Sequence, residues 1–241
     1  MNTRDFLTLL SVSLLWGASF LFLRLLVLDG LEPLQIVSIR MILAAVFIAP
    51  FFIRKMKKLS FYDHGFSFLL IGVLNTALPF TLFAYASVSL GAGSLSILQA
   101  TVPILTALIL FTLYKGEFSY FKLSGVMIGF AGLFLLVGPS GNLDLFASIL
   151  CVVASLSYAI AGVYLAKTPA RISNSFIGMG SIIVGAFLMA PFLLNYSNPF
   201  TTISALSWLY LTLLGIVNTS LAYVIFIKLI KRIGPINSSF V

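Results

Sequence analysis

The chain has 241 residues, of which 61% are hydrophobic and only 8% charged, with a formal net charge of +8 and a mean hydropathy of +1.15. A soluble domain carries about 25% charged residues, so a water-facing globule is excluded and a polytopic membrane protein is implied. The positive charge does not indicate nucleic acid, because the basic residues fall in short connections between apolar stretches; Cys151 and His64 are each alone of their kind, which excludes an internal disulfide and a Cys- or His-built metal cluster.

A spanning helix needs about 20 mostly apolar residues. Eight stretches meet that need: 6–28, 34–53, 65–88, 92–114, 121–138, 144–165, 174–194 and 205–227. The first is too long for a signal-peptide core, and Arg4 before it is balanced by Asp5. The connections carry turn punctuation, as in Asp29-Gly30, Gly91-Ala92-Gly93 and Ser197-Asn198-Pro199. None is long enough to hold a soluble domain.

Lys and Arg orient the bundle. With the N-terminus in the cytoplasm, Arg4, Arg54, Lys55, Lys57, Lys58, Lys115, Lys122, Lys167, Arg171, Lys228, Lys231 and Arg232 lie inside, which is 12 of the 14 basic residues. Asp29, Glu32 and Asp144 lie outside. This asymmetry predicts a multi-pass protein of the plasma (inner) membrane with a cytoplasmic N-terminus.

One stretch occurs twice. Gly72 to Leu98 overlays Gly215 to Val241 without a gap, at a constant offset of 143. Gly72 meets Gly215, Asn75 meets Asn218, Thr76 meets Thr219, Leu78 meets Leu221, Phe83 meets Phe226 and Gly91 meets Gly234. An internal repeat follows. Five helices precede the second unit, so that unit is inverted, and the loop charges swap accordingly. The uncharged connection after helix 3 corresponds to the basic Lys228, Lys231 and Arg232 after helix 8, and the basic connection after helix 2 to the uncharged Asn195 to Ser204. The expected fold is an all-α polytopic membrane protein of inverted five-helix repeats, with units at 1–141 and 142–241. Such repeats build secondary transporters with a midplane site between the halves. Nothing in the second unit corresponds to Gln99 to Gly138. The sequence therefore reads as eight complete helices plus the start of a ninth, truncated at its C-terminus.

The chain resembles the drug/metabolite transporter superfamily, in its EamA-like ten-helix branch. The likeness rests on Trp16-Gly17-Ala18-Ser19-Phe20, Arg40 with Ala44-Ala45, Ala84-Tyr85-Ala86, Gln99-Ala100-Thr101-Val102-Pro103, Gly116-Glu117, Gly125-Val126, Gly129-Phe130-Ala131-Gly132, Ala222-Tyr223 and Gly234-Pro235. Each motif is short; their order and spacing carry the resemblance. It implies export of small metabolites, amino acids or drugs through a central cavity, and it names no substrate.

The candidate binding residues follow from polarity inside apolar helices. Arg40 is a charge in a spanning helix, where it is expensive unless paired or useful. It reads either as a counter-charge for a substrate carboxylate or as a side chain snorkelling to the outer headgroups. Asn75 with Thr76 and Asn218 with Thr219 are repeat-equivalent polar pairs; the amides read as binding a zwitterion from both sides of the pseudo-two-fold axis, or as interhelical glue or N-caps where a helix is interrupted. Pro79 and Pro103 each remove a helical N–H. A kink at Pro103 is expected to free the Gln99 carbonyl beside Thr106 and turn acceptors inward; the alternative is a packing kink. Trp16, Tyr85, Tyr158 and Tyr223 read as cavity wall, core packing or interfacial belt; Trp16 and Tyr158 fall mid-helix, where a belt explains them poorly. Gly125, Gly129 and Gly132 give helix 5 a small packing face, and Glu117 reads as a surface ion-pair partner of Lys115 and Lys122.

No Asp or Glu lies deep in a predicted helix, so proton coupling has no evident carrier. No nucleophile–base pair or phosphate loop is present, and neither an enzyme nor a cofactor is expected. The reading is a transporter of small organic solutes working by alternating access. Its alternatives are a truncated non-transporting remnant or a channel or lipid scramblase. Its partners are a small-molecule substrate and the lipid bilayer, not nucleic acid, with self-association into a homo-oligomer left open.

Overall fold

The computed structural model describes residues 2–56, 65–113, 120–121, 124–125, 127–128, 131, 144–167, 174–196 and 203–238. Among them the chain is helical and contains no strand. Seven helices are long and apolar enough to cross a membrane: α1 (Thr3–Leu28), α2 (Pro33–Arg54), α3 (Gly65–Ser89), α4 (Ala92–Leu113), α5 (Leu145–Lys167), α6 (Phe176–Asn195) and α7 (Ala205–Gly234). They correspond to seven of the eight stretches expected from hydropathy. The remaining one, 121–138, lies mostly outside the described residues, as do Glu117, Lys115, Lys122, Gly129 and Gly132.

The outer surface is apolar. Leu14 is 67% exposed, Phe66 71% and Phe187 82%, values that suit a lipid-facing wall rather than water. Between helices in lipid, close packing and polar contacts replace the hydrophobic drive. Thus Phe52 of α2 stacks on Phe176 of α6 at 4.9 Å, and Phe68 of α3 meets Phe176 edge-on at 5.3 Å. Such pairs add about 0.5–1.5 kcal/mol each beyond area, and together they pin α2, α3 and α6. Gly180 admits the Phe68 ring; a Cβ there would come within 2.6 Å of it.

The two ends of the bundle are tied differently. At one end α1 closes in a Schellman turn: Gly30 takes φ +90°, Leu31 N–H reaches the Leu26 carbonyl and Gly30 N–H the Val27 carbonyl, each at 3.1 Å. The adjoining Asp29 carboxylate accepts from Ser204 (3.1 Å) and Ser207 (2.5 Å) at the start of α7, where a negative charge complements the helix N-terminus. Glu32 accepts from Tyr196 at 3.0 Å. At the other end Arg232 of α7 pairs with Asp5 of α1 at 2.6 Å.

Helix α7 corrects one sequence expectation. Its hydropathy falls after residue 227, so Lys228, Lys231 and Arg232 are expected in a loop, yet helix continues through all three. Ile227, Leu229 and Ile230 stay buried while the charges point outward, so amphipathic periodicity carries the helix past the point where mean hydropathy drops. The break comes at Gly234, with φ +81°.

Two helices contain wide turns at matched places. Val73–Ala77 in α3 and Leu213–Leu221 in α7 are π-helical, and they hold the repeated Asn75-Thr76 and Asn218-Thr219. Pro79 is not the common cause, because Ala222 stands at the matching place in α7. The shared features are a threonine and a glycine. Thr76 Oγ1 donates to the Gly72 carbonyl, and Thr219 Oγ1 donates to the Leu214 carbonyl at 2.7 Å. Hydroxyls inserted into the carbonyl ladder bend helices, and π turns gather at functional sites. Gly72 and Gly215 sit where another helix comes closest: α6 at Gly72 and α2 at Gly215.

Candidate functional site

The π turns face a cavity. It holds about 880 Å³ of empty space, part of it continuous with the surroundings, and its wall is drawn from α1 to α5 and α7. Of the residues proposed from sequence, Trp16, Arg40, Asn75, Gln99, Tyr158, Asn218, Thr219 and Tyr223 line it. Thr76, Pro79 and Pro103 are buried next to the cavity without lining it.

Arg40 does not snorkel. It is 6% exposed, its Nε donates to Thr219 Oγ1 at 2.8 Å, and Nη2 lies 3.4 Å from Ser19 Oγ. The guanidinium carbon sits 3.7 Å from the centroid of the Phe80 ring, a cation–π contact that favours the charge. The snorkelling alternative is corrected for a simple reason: the rotation of α2 turns this face inward, toward the threonine of α7.

The two π turns lean on donors from other helices. Trp16 Nε1 of α1 donates to the Asn218 carbonyl at 2.9 Å. Ser157 of α5 donates to the Leu74 carbonyl at 2.7 Å. A wide turn or a proline leaves carbonyls without an axial partner, and a side chain from a neighbouring helix supplies one. The aromatic wall repeats the pattern: Phe226 packs edge-on against Trp16 at 4.6 Å, and its repeat mate Phe83 stacks on Tyr158 at 6.2 Å.

The amides are treated unequally. Asn75 is 3% exposed and faces the Tyr223 hydroxyl, which Ser181 Oγ approaches at 3.5 Å. Asn218 is 2% exposed, and its Nδ2 has no hydrogen-bond partner. A buried donor left unmade is uncommon in a folded protein.

Helix α4 is broken near the proline. Ala92–Gln99 ends at Ala100, and Val102–Leu113 begins two residues on. At the break the Leu98 carbonyl accepts from Thr101 Oγ1 at 2.7 Å and from Ser155 of α5 at 3.1 Å, while Pro103 has no N–H to offer the Gln99 carbonyl. The break lies before the proline, so Pro103 starts the second half of the helix instead of kinking a continuous one.

A transporter lineage fits a polar-lined cavity inside an apolar bundle, and the sequence profile of the EamA-like transporter family matches residues 4–138 and 145–241. The chain belongs to that family. It is 30% identical over 231 residues to an uncharacterized transporter of Archaeoglobus fulgidus, covering 89% of this chain and 76% of that one. It is 24% identical over 243 residues to the uncharacterized transporter YoaV of Bacillus subtilis, covering 97% of this chain and 82% of that one. A solved crystal structure shares the fold, with TM-score 0.64 and 14% identity over 95% of this chain and 87% of the other. This EamA-like chain is therefore a multi-pass membrane transporter.

Sequence reasoning missed several cavity residues of the EamA-like chain. Ser19, Phe20, Phe80, Phe83 and Phe226 line the space. Phe83 and Phe226 carried a signal as repeat mates, and Ser19 and Phe20 as part of a motif. Phe80 carried none, because a phenylalanine facing lipid and one facing a cavity look alike in a hydropathy profile. Tyr85 was a wall candidate and is instead 43% exposed on the outer face.

Proposed function

We propose that this transporter exports small organic metabolites, such as amino acids or drugs, across the plasma (inner) membrane with its N-terminus in the cytoplasm. It works by alternating access between two inverted units, residues 1–141 and 142–241. The observation that carries the reading is the placement of both π turns on one cavity, each braced by a donor from a helix of the other unit. Rocking one unit against the other re-aims both turns together and opens the cavity to alternate sides. The pairing of Asp5 with Arg232 at one end and of Asp29 and Glu32 with α7 and its approach at the other gives each side a closure that can break. The lining residues Trp16, Arg40, Asn75, Gln99, Tyr158, Asn218, Thr219 and Tyr223 are proposed to contact the solute; Thr76, Pro79 and Pro103 shape the helices that present them.

The test is counterflow in proteoliposomes preloaded with a panel of labelled amino acids and metabolites. Saturable uptake that accelerates with internal solute is expected. Flux that rises linearly with concentration, or movement of lipid alone, would overturn alternating access.

A further inference from the structure

The transport reading leaves the solute unnamed, and one wall of the cavity narrows it. Arg40 is buried against three neutral groups: the Thr219 hydroxyl, the Ser19 hydroxyl and the Phe80 ring. No Asp or Glu is found among the described residues lining the cavity. A fixed cation in a low-dielectric site without a counter-anion is costly, so such a residue pairs with something or serves the transported species. Adjacent to Thr219, which receives Arg40, Asn218 lines the same cavity, and its buried amide nitrogen has no partner. Both groups are hydrogen-bond donors there. A ligand group meeting two donors, one of them charged, must be an acceptor with negative charge and more than one oxygen.

We infer that the cavity takes a monoanionic organic acid, its carboxylate held between the Arg40 guanidinium and the Asn218 amide and its apolar or aromatic body against the ring wall. This rests on the transport reading and names the solute class for the same site. The single cationic side chain in the described lining suits one negative charge; a phosphate monoester, mostly dianionic at neutral pH, would leave charge unmatched. The rest of the wall is aromatic: Phe20, Phe80, Phe83 and Phe226 with Trp16 and Tyr158. An amine on the solute would find no carboxylate among these residues, only ring faces and carbonyls. The site therefore ranks solutes by head group, with the simple acid ahead of the zwitterion and the zwitterion ahead of the amine.

The experiment holds the body constant and changes the head. The purified chain in lipid nanodiscs is titrated calorimetrically with 3-phenylpropionate, phenylalanine, phenethylamine, 3-phenylpropanol and phenyl phosphate, and the same compounds are tested for flux in proteoliposomes. The acid is expected to bind at least tenfold tighter than each of the other four. Arg40→Met should remove that advantage, Arg40→Lys should keep part of it because the charge stays while the planar fork is lost, and Asn218→Leu should weaken the acid severalfold without weakening the alcohol. Equal affinity across the head groups in the native chain overturns the inference, and does so even where Arg40→Met fails to fold. Retention of the acid's advantage in a folded Arg40→Met chain also overturns it. Saturable flux of amine or alcohol but not of acid sinks this inference and leaves the transport reading standing. Arg40-dependent binding of the acid with no saturable flux of any solute does the reverse.

Discussion

The π turns of α3 and α7 are nearly the same in sequence and unlike in what surrounds them. Both hold an Asn-Thr pair, both begin near a glycine pressed on a neighbouring helix, and both have a carbonyl capped by a side chain from elsewhere in the chain. Around the first, the Asn75 amide faces the Tyr223 hydroxyl, and Thr76 packs against Gly185 and Met41 of α6 and α2, a site a Cβ at Gly185 would invade. Around the second, the Asn218 amide nitrogen is free, and Thr219 receives Arg40. The difference comes from the facing helix. Ser38 of α2 and Ser181 of α6 stand 143 apart like the rest of the repeat, but two residues on α2 carries Arg40 where α6 carries Ile183. The two turns share a backbone shape; Arg40 on one facing helix makes its copy a charged site, and Ile183 on the other leaves its copy uncharged.

The largest test of that comparison is at the two glycines. A Cβ at Gly215 would lie 2.8 Å from both the Arg40 carbonyl oxygen and Leu43 Cβ. A Cβ at Gly72 would lie 3.0 Å from the Ser181 carbonyl oxygen and 3.1 Å from a Val184 methyl. Overpacking costs about 1–3 kcal/mol, and replacing a mid-helix glycine with alanine returns roughly 0.5–1 kcal/mol. Gly215→Ala should thus cost about 2 kcal/mol and shift Arg40 away from α7, with loss of transport. Gly72→Ala should cost less than about 1 kcal/mol and leave transport largely intact. Thermal unfolding in detergent and flux in liposomes would both rank them; equal losses at the two sites would mean that the turns are functionally equivalent.

The amides give a smaller effect with opposite signs. Leaving a buried polar group unsatisfied costs about 1–3 kcal/mol. Asn218→Leu removes such a group, so its thermal stability should match or exceed that of the native chain while transport falls. Asn75→Leu strips a partner from Tyr223 and should destabilise by about 1–2 kcal/mol. If both leucine variants unfold early, the Asn218 nitrogen is structurally engaged and the asymmetry argued above is wrong.

Much of this was legible before any coordinates. Hydropathy placed the seven spans found among the described residues, and the gapless repeat singled out Asn75, Thr76, Asn218 and Thr219 as equivalent. What could not be read was rotation about each helix axis. Arg40 faces Thr219 because α2 is turned that way, and a sequence profile cannot distinguish that from a side chain turned toward lipid. The same limit hid Phe80 and left the wall, core and belt readings of Tyr85 open. The π geometry was hidden too, since it depends on a hydroxyl entering the carbonyl ladder. The helical run through Lys228 to Arg232 was obscured because average hydropathy drops there while periodicity persists.

The smallest test concerns the two carbonyl caps. Ser157→Ala removes the donor to the Leu74 carbonyl, and Trp16→Phe removes the donor to the Asn218 carbonyl while keeping the aromatic contact with Phe226. Each leaves one carbonyl short of a partner, worth about 1 kcal/mol, so the two variants should unfold at similar temperatures. Transport should separate them. Trp16 braces the turn that presents Asn218 and Thr219 to the solute, and its loss should raise the half-saturating concentration severalfold. Ser157 braces the uncharged turn, and its loss should leave that concentration within about twofold, a change of about 0.4 kcal/mol or less. A Ser157→Ala chain that loses affinity as far as Trp16→Phe does would show that the two turns move and bind as one unit, and the division into a charged and an uncharged turn would have to be abandoned.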